Sequence, residues 1–176
     1  RLFCRGMVTG ILYDTNYRWY KNTEGSNGGK NENPDKLKGV YSFYGSLASA
    51  TNFIGVAAGG DFSLALEEQE EGKTVLYSWG TNKCGQLGLG HNNTAQNMAQ
   101  VPDFPPSGEK LRSVSAGGAH ALALTESGKV YAWGYNYYGQ LGINNNDDKN
   151  IPTLITALSG KKIISIAAGE NHSLAM

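Results

Sequence analysis

Three tryptophans set a ruler along this chain. Trp19, Trp79 and Trp133 stand 60 and 54 residues apart, and the last two lie in nearly the same string, YSWGTNKCGQLG and YAWGYNYYGQLG. Each of these two has Tyr two residues before it (Tyr77, Tyr131) and Asn three after it (Asn82, Asn136). Gly follows at plus six (Gly85, Gly139) and at plus nine (Gly88, Gly142). Trp19 fits the same ruler through Tyr17, Asn22, Gly25 and Gly28, in a segment that otherwise looks unrelated. Downstream of each Trp come spaced apolar anchors: Pro34, Leu37 and Val40; Met98, Val101 and Phe104; Pro152, Ile155 and Leu158. A small-residue strand follows in each repeat (GVAAGG, SVSAGG, SIAAGE) and places Gly59, Gly117 and Gly169 in register. A period of this kind marks units that bury their apolar faces only by stacking on one another. The repeats divide the chain into a degenerate unit (6–58), two full units (59–116, 117–168) and the start of another (169–176).

Within a unit the pattern is that of four short strands. Phe62, Leu64 and Leu66 alternate with the period of a strand that buries one face, as do Leu122 and Leu124. Ser127-Gly128-Lys129 reads as a hairpin turn leading into the β-rich Val130-Tyr131-Ala132-Trp133. The Asn-x-x-Gly-Gln-Leu-Gly loop then reverses the chain, and Val101–Phe104 and Val114–Ala116 are expected to supply the remaining strands. The high glycine content (24 residues) suits many tight turns, and no 12-residue segment carries a helical apolar stripe. Four-stranded antiparallel units repeated radially make an all-β fold, the β-propeller.

The strings AGGAHALALTESGKVYAWGYNYYGQLG (116–142) and AAGENHSLAM (167–176) resemble the repeats of the regulator of chromosome condensation family. The resemblance runs from about Ile54 to Met176 and implies a seven-bladed propeller, of which this chain would supply about three blades and the start of a fourth. The chain opens on Arg1 and stops just after a strand signal, so it is expected to be part of something longer. Left alone, such a segment is expected to expose unpaired edges and bare blade faces and to self-associate.

Composition narrows the partners. Lys+Arg and Asp+Glu both number 15, so the chain lacks the basic footprint of a nucleic-acid binder. No apolar run approaches a membrane span. Cys4 and Cys84 share no metal-site or redox-motif spacing and read as two reduced thiols of a cytoplasmic or nuclear protein. No Ser/His/Asp, Cys/His or paired-carboxylate arrangement stands out, so the expectation is a binding module and not an enzyme, with no metal and no cofactor. Gly72-Lys73-Thr74 imitates the end of a phosphate loop, but Glu67 replaces the required glycine and the neighbouring carboxylates would repel phosphate.

Residues that recur in register are assigned to architecture. Trp19, Trp79 and Trp133, Gly59, Gly117 and Gly169, and the pair Gln86 and Gln140 are expected to serve blade packing and turns. His120 and His172 occupy one repeat position, three residues after a Gly, and the preceding unit puts Phe62 there. A catalytic or metal-binding role would not survive that replacement, so the ring is expected to be wedged between blades. Residues that break register are the partner-binding candidates. Tyr135, Tyr137 and Tyr138 crowd a loop where the preceding unit has Thr81, Lys83 and Cys84. Glu67, Glu68, Glu70 and Glu71 form an acidic hairpin extension, longer by four residues than the next unit's hairpin. Three readings follow: a protein-interaction propeller in a larger protein, an exchange factor for a Ran-like small GTPase, or the recognition part of a ubiquitin ligase. Histones and a small GTPase are the expected kinds of partner.

Overall fold

A computed structural model of the protein describes residues 9–10, 39–42, 47–49 and 52–176, with side chains from residue 52 onward except Glu70. Among the described residues the regular elements are β-strands and two short 3-10 turns, Glu70–Gly72 and Thr156–Leu158. Strands β1 (Thr9–Gly10), β2 (Gly39–Ser42) and β3 (Leu47–Ser49) form a small antiparallel sheet. Trp19, Cys4 and the rest of the degenerate unit's landmarks up to Pro34 and Leu37 lie outside the described residues.

Two complete four-stranded sheets follow. The first runs β4 (Phe53–Ala58), β5 (Phe62–Glu68), β6 (Thr74–Gly80) and β7 (Ala95–Gln100). The second runs β8 (Leu111–Ala116), β9 (His120–Thr125), β10 (Val130–Gly134) and β11 (Lys149–Leu154). A two-stranded sheet, β12 (Ile166–Ala168) with β13 (Ser173–Ala175), comes last. Neighbours in sequence are neighbours in the sheet and every pairing is antiparallel, so each four-stranded sheet is one up-and-down blade. A unit counted from Gly59 or Gly117 therefore holds the last three strands of one blade and the first strand of the next.

Two strand-level expectations need correction. The fourth strand is Ala95–Gln100, not Val101–Phe104. Only Val101 continues the pairing, its amide donating to Leu76 O at 2.8 Å, before Pro102 and Asp103 (φ 51°) turn the chain away. Val101 and Phe104 are buried all the same. They fill the base of the blade, and Phe104 sets its edge against Tyr131 (5.1 Å) and Trp133 (5.8 Å) of the following blade. The strand itself, AQNMAQ, pairs with β6 alone at the outer rim, where no apolar alternation is demanded. The second correction concerns burial. Strand β5 is buried at every position from Phe62 to Leu66, and β9 from His120 to Thr125. Stacked blades cover both faces of their middle strands, so alternation in sequence understates their burial.

The stacking is closest between first strands. Strand β8 packs against both β4 and β12, and these are the Gly-, Ala- and Ser-rich strands of the sequence. Their following turns touch backbone to backbone. The Gly60 amide donates to Gly117 O (3.2 Å) and Gly118 O (3.1 Å), and the Gly118 amide donates to Glu170 O (3.0 Å). A β-carbon on Gly60 would stand 2.7 Å from Gly118 O, and one on Gly117 would collide with Gly169 O and with the His120 ring. Glycine recurs here because two chains and one ring share the space of a side chain.

Candidate interaction surface

Because successive strands alternate in direction, the turns sort into two ends of the blade stack. Turns 59–61, 81–94, 117–119, 135–148 and 169–172 lie at one end, here the loop end. Segments 69–73, 101–110, 126–129 and 155–165 lie at the other, the hairpin end. The tyrosine loop and the acidic extension, both read as partner-binding candidates, therefore sit at opposite ends.

The loop end is built twice on the same plan. Asn82 is fully buried; its Oδ1 accepts from the Leu87 amide (2.9 Å) and its Nδ2 donates to His91 O (2.7 Å) and Asn93 O (3.0 Å). Asn136 repeats this with Leu141 N, Asn145 O and Asp147 O at 2.9, 2.7 and 3.1 Å. The Gln86 and Gln140 side-chain oxygens accept from the Cys84 and Tyr138 amides, each at 3.0 Å. One asparagine thus holds both limbs of a loop of more than ten residues. Its spacing was visible in sequence as a landmark, but its role was not, because the carbonyls it meets lie in a stretch of unpatterned polar residues. Asn136→Ala leaves a buried amide and two carbonyls short of a partner. It is expected to cost about 1–3 kcal/mol in denaturant unfolding.

The blades are also tied to each other at this end. Trp133 Nε1 donates to Gln86 O of the preceding blade at 2.9 Å. The Gly90 amide donates to Asn150 O at 2.8 Å. The Asp148 carboxylate accepts from the Asn136 amide at 2.8 Å; burial, and then this neighbouring carboxylate, push the Cys84 thiol pKa up. Trp79 and Trp133 are both buried, Trp79 with Ala65, Phe53 and Met98.

The histidine position lies at the seam between the second blade and β12–β13. Phe62, His120 and His172 each lay their ring over the Gly three residues earlier. His120 is fully buried, whereas His172 is exposed. Ser173 Oγ donates to Gln140 O at 2.7 Å, so its single proton is committed and it accepts from His120 Nε2–H at 3.0 Å. That leaves the lone pair on His120 Nδ1, which has no hydrogen-bond partner among the described residues. Burial pushes the His120 pKa down, and the nearby His172 backbone opposes it only in part.

On the loop end, Tyr137 and Tyr138 are 65% and 64% exposed, with Tyr135 half-buried beside them. The Tyr135 and Tyr137 rings are nearly parallel (10°) with centroids 6.4 Å apart. Tyr138 stands perpendicular to both, at 6.1 Å from Tyr135 and 5.1 Å from Tyr137. On the hairpin end, the acidic extension is less bare than its sequence suggests. Glu67 accepts from Tyr77 OH at 3.0 Å and Gln69 Nε2 at 3.3 Å. Lys110 reaches the same tip, beside Gly72 and Glu68. Glu71 is exposed in a left-handed conformation (φ 62°). Gly72-Lys73-Thr74 completes the β5–β6 hairpin and opens no helix.

Comparison with known proteins gives one answer at three levels. The family model of the regulator of chromosome condensation (RCC1) repeat matches residues 75–124 and 127–176, and a second model of the same repeat matches residues 53–86 and 111–140. Among curated relatives, the probable E3 ubiquitin-protein ligase HERC4 of Homo sapiens is 40% identical over 128 residues, 73% of this chain and 12% of that protein. The RCC1 domain-containing protein RUG3, mitochondrial, of Arabidopsis thaliana is 39% identical over 121 residues, 69% of this chain and 26% of that protein. Among solved structures, Prp20p from Saccharomyces cerevisiae, described with its binding properties to Gsp1p and histones, superposes with a TM-score of 0.63 at 25% identity. The match covers 74% of this chain and 32% of Prp20p. The chain thus spans only a small part of these relatives. With its tandem repeats, its stacked four-stranded blades and these matches, the chain belongs to the regulator of chromosome condensation repeat family and is an RCC1-type β-propeller domain.

Proposed function

We propose that this chain is a protein-recognition segment of a larger protein, binding its partner through side chains displayed at the ends of a rigid blade stack and carrying no catalysis of its own. The carrying observation is that exposed aromatic rings sit on a loop whose fold does not need them. The equivalent loop of the preceding blade makes the same asparagine and glutamine bonds with Thr81, Lys83 and Cys84 in those places. Binding residues on loops held by a rigid scaffold are the usual division of labour. Within this reading, a role as the recognition part of a ubiquitin ligase is supported by the 40% identity to HERC4. Exchange on a Ran-like GTPase is the second reading, supported by the likeness to Prp20p. The proposed setting is cytoplasm or nucleus.

The hairpin end supplies a second, charge-driven contact for a basic partner such as a histone tail. Glu67, Glu68, Glu70 and Glu71 outnumber Lys73 and Lys110 at that tip. Titration of a histone-tail peptide against the protein should weaken steeply between low and physiological salt, since exposed charges are screened over about 10 Å at 0.1 M. Replacing the four glutamates by glutamine should weaken it further at low salt. Unaltered binding would remove the tip from the interface.

A further inference from the structure

We infer that Tyr135, Tyr137 and Tyr138 form a three-walled receptor for one cationic side chain, a lysine ammonium (alkylated or not) or an arginine guanidinium, presented by the protein partner. This deepens the recognition reading and rests on it. Two nearly parallel rings 6.4 Å apart, with a third perpendicular to both, gather three π-systems, each negative on its face, around one spot. A cation within about 6 Å of several ring centroids is attracted by each of them.

The backbone that carries the rings is held before any ligand arrives. Asn136 fixes both limbs of the loop, the Tyr138 amide is bound to Gln140 Oε1, and Asn146 Nδ2 donates to Tyr137 O at 2.7 Å. Little backbone ordering cost then remains for binding. The charge around the rings has the right sign. The loop end carries Asp61, Asp147, Asp148 and Glu170 against Lys83 and Lys149, and Lys149 lies 3.6 Å from Asp147. Asp148 is anchored on the Asn136 amide and acts electrostatically on Tyr135. The preceding blade provides the internal control: its equivalent loop has Lys83 in place of Tyr137, which would repel the same ligand.

The test uses the whole 176-residue chain and three small probes followed by tyrosine ring NMR signals. These are the N-acetyl amides of trimethyl-lysine and of arginine, and the neutral tert-butyl isostere of the first. At least one cationic probe should bind saturably, and the isostere should bind roughly tenfold or more weakly, because it keeps the shape and loses the charge. Tyr137→Leu and Tyr138→Leu should each weaken the cation about five- to tenfold, while Tyr137→Phe stays within about twofold. Equal binding of the isostere, indifference to the leucine variants, or no saturable binding of either cation would overturn the receptor. The isostere arm needs no mutation, so a misfolded variant does not blunt the test. If a basic peptide still binds and responds only to the Glu67–Glu71 replacements, this receptor falls while the recognition reading stands.

Discussion

Replacing Trp133 by alanine should be among the most damaging single changes in this chain, costing about 3–5 kcal/mol for the lost ring alone. The indole is fully buried in the core shared by the two complete blades, with Phe104, Leu87 and Tyr131 in the same cluster. Its Nε1 is also the donor to Gln86 O, a bond between residues 47 positions apart that crosses from one blade to the next. Without the donor, that carbonyl is left unpaired beside an apolar cavity, which adds roughly 1–3 kcal/mol. Gly88 lies against the indole, its ideal β-carbon position 3.0 Å from the indole nitrogen, and as glycine it has no side chain with which to close the gap. Trp133→Phe separates the two parts: it refills most of the volume and loses only the donor. Urea unfolding should therefore rank the wild type above Trp133→Phe, and that above Trp133→Ala. If alanine cost no more than phenylalanine, the ring would be packing nothing.

The repeat itself was legible because radial stacking imposes the same contacts at every blade. The glycine turns, Trp133 and the Phe62/His120 position lie where one blade meets the next. What could not be read follows from the same geometry. The rim strands AQNMAQ and KNIPTL pair on one side only, so they carry no alternation, and an edge strand even tolerates Pro152. The apolar anchors after them invited a strand at Val101–Phe104, yet those side chains are wanted at the seam with the next blade. The Asn136 and Trp133 side-chain hydrogen bonds end on backbone groups, which leave no mark in sequence. For the two candidate surfaces, sequence showed which residues depart from the repeat. Only the strand directions show that these departures lie at opposite ends of the stack.

His120 gives the sharpest test of the repeat logic, because one substitution makes it worse and another should be nearly silent. His120→Ala removes a fully buried ring lying over Gly117 and is expected to cost about 2–4 kcal/mol. His120→Phe puts into this socket the residue that the preceding unit carries at Phe62, which is buried over Gly59 in the same way. Ser173 would keep its bond to Gln140 O and lose only the imidazole N–H, so the change should cost no more than about 1.5 kcal/mol. The two variants also part company with pH. Burial favours neutral His120 in the folded state, and the unfolded chain takes up the proton near the ordinary imidazole value of about 6.5. The His120 contribution is therefore intact above that value and is lost progressively as pH falls below it, levelling off once the lower folded-state pKa is passed. Protonation would add an N–H at Nδ1, an atom that makes no hydrogen bond among the described residues. Melting temperatures taken between about pH 5 and 7 should fall more steeply with acid for the wild type than for His120→Phe. Parallel curves for the two proteins would mean that burial does not disfavour protonated His120, and a phenylalanine variant as unstable as the alanine one would mean that the two sockets are not equivalent.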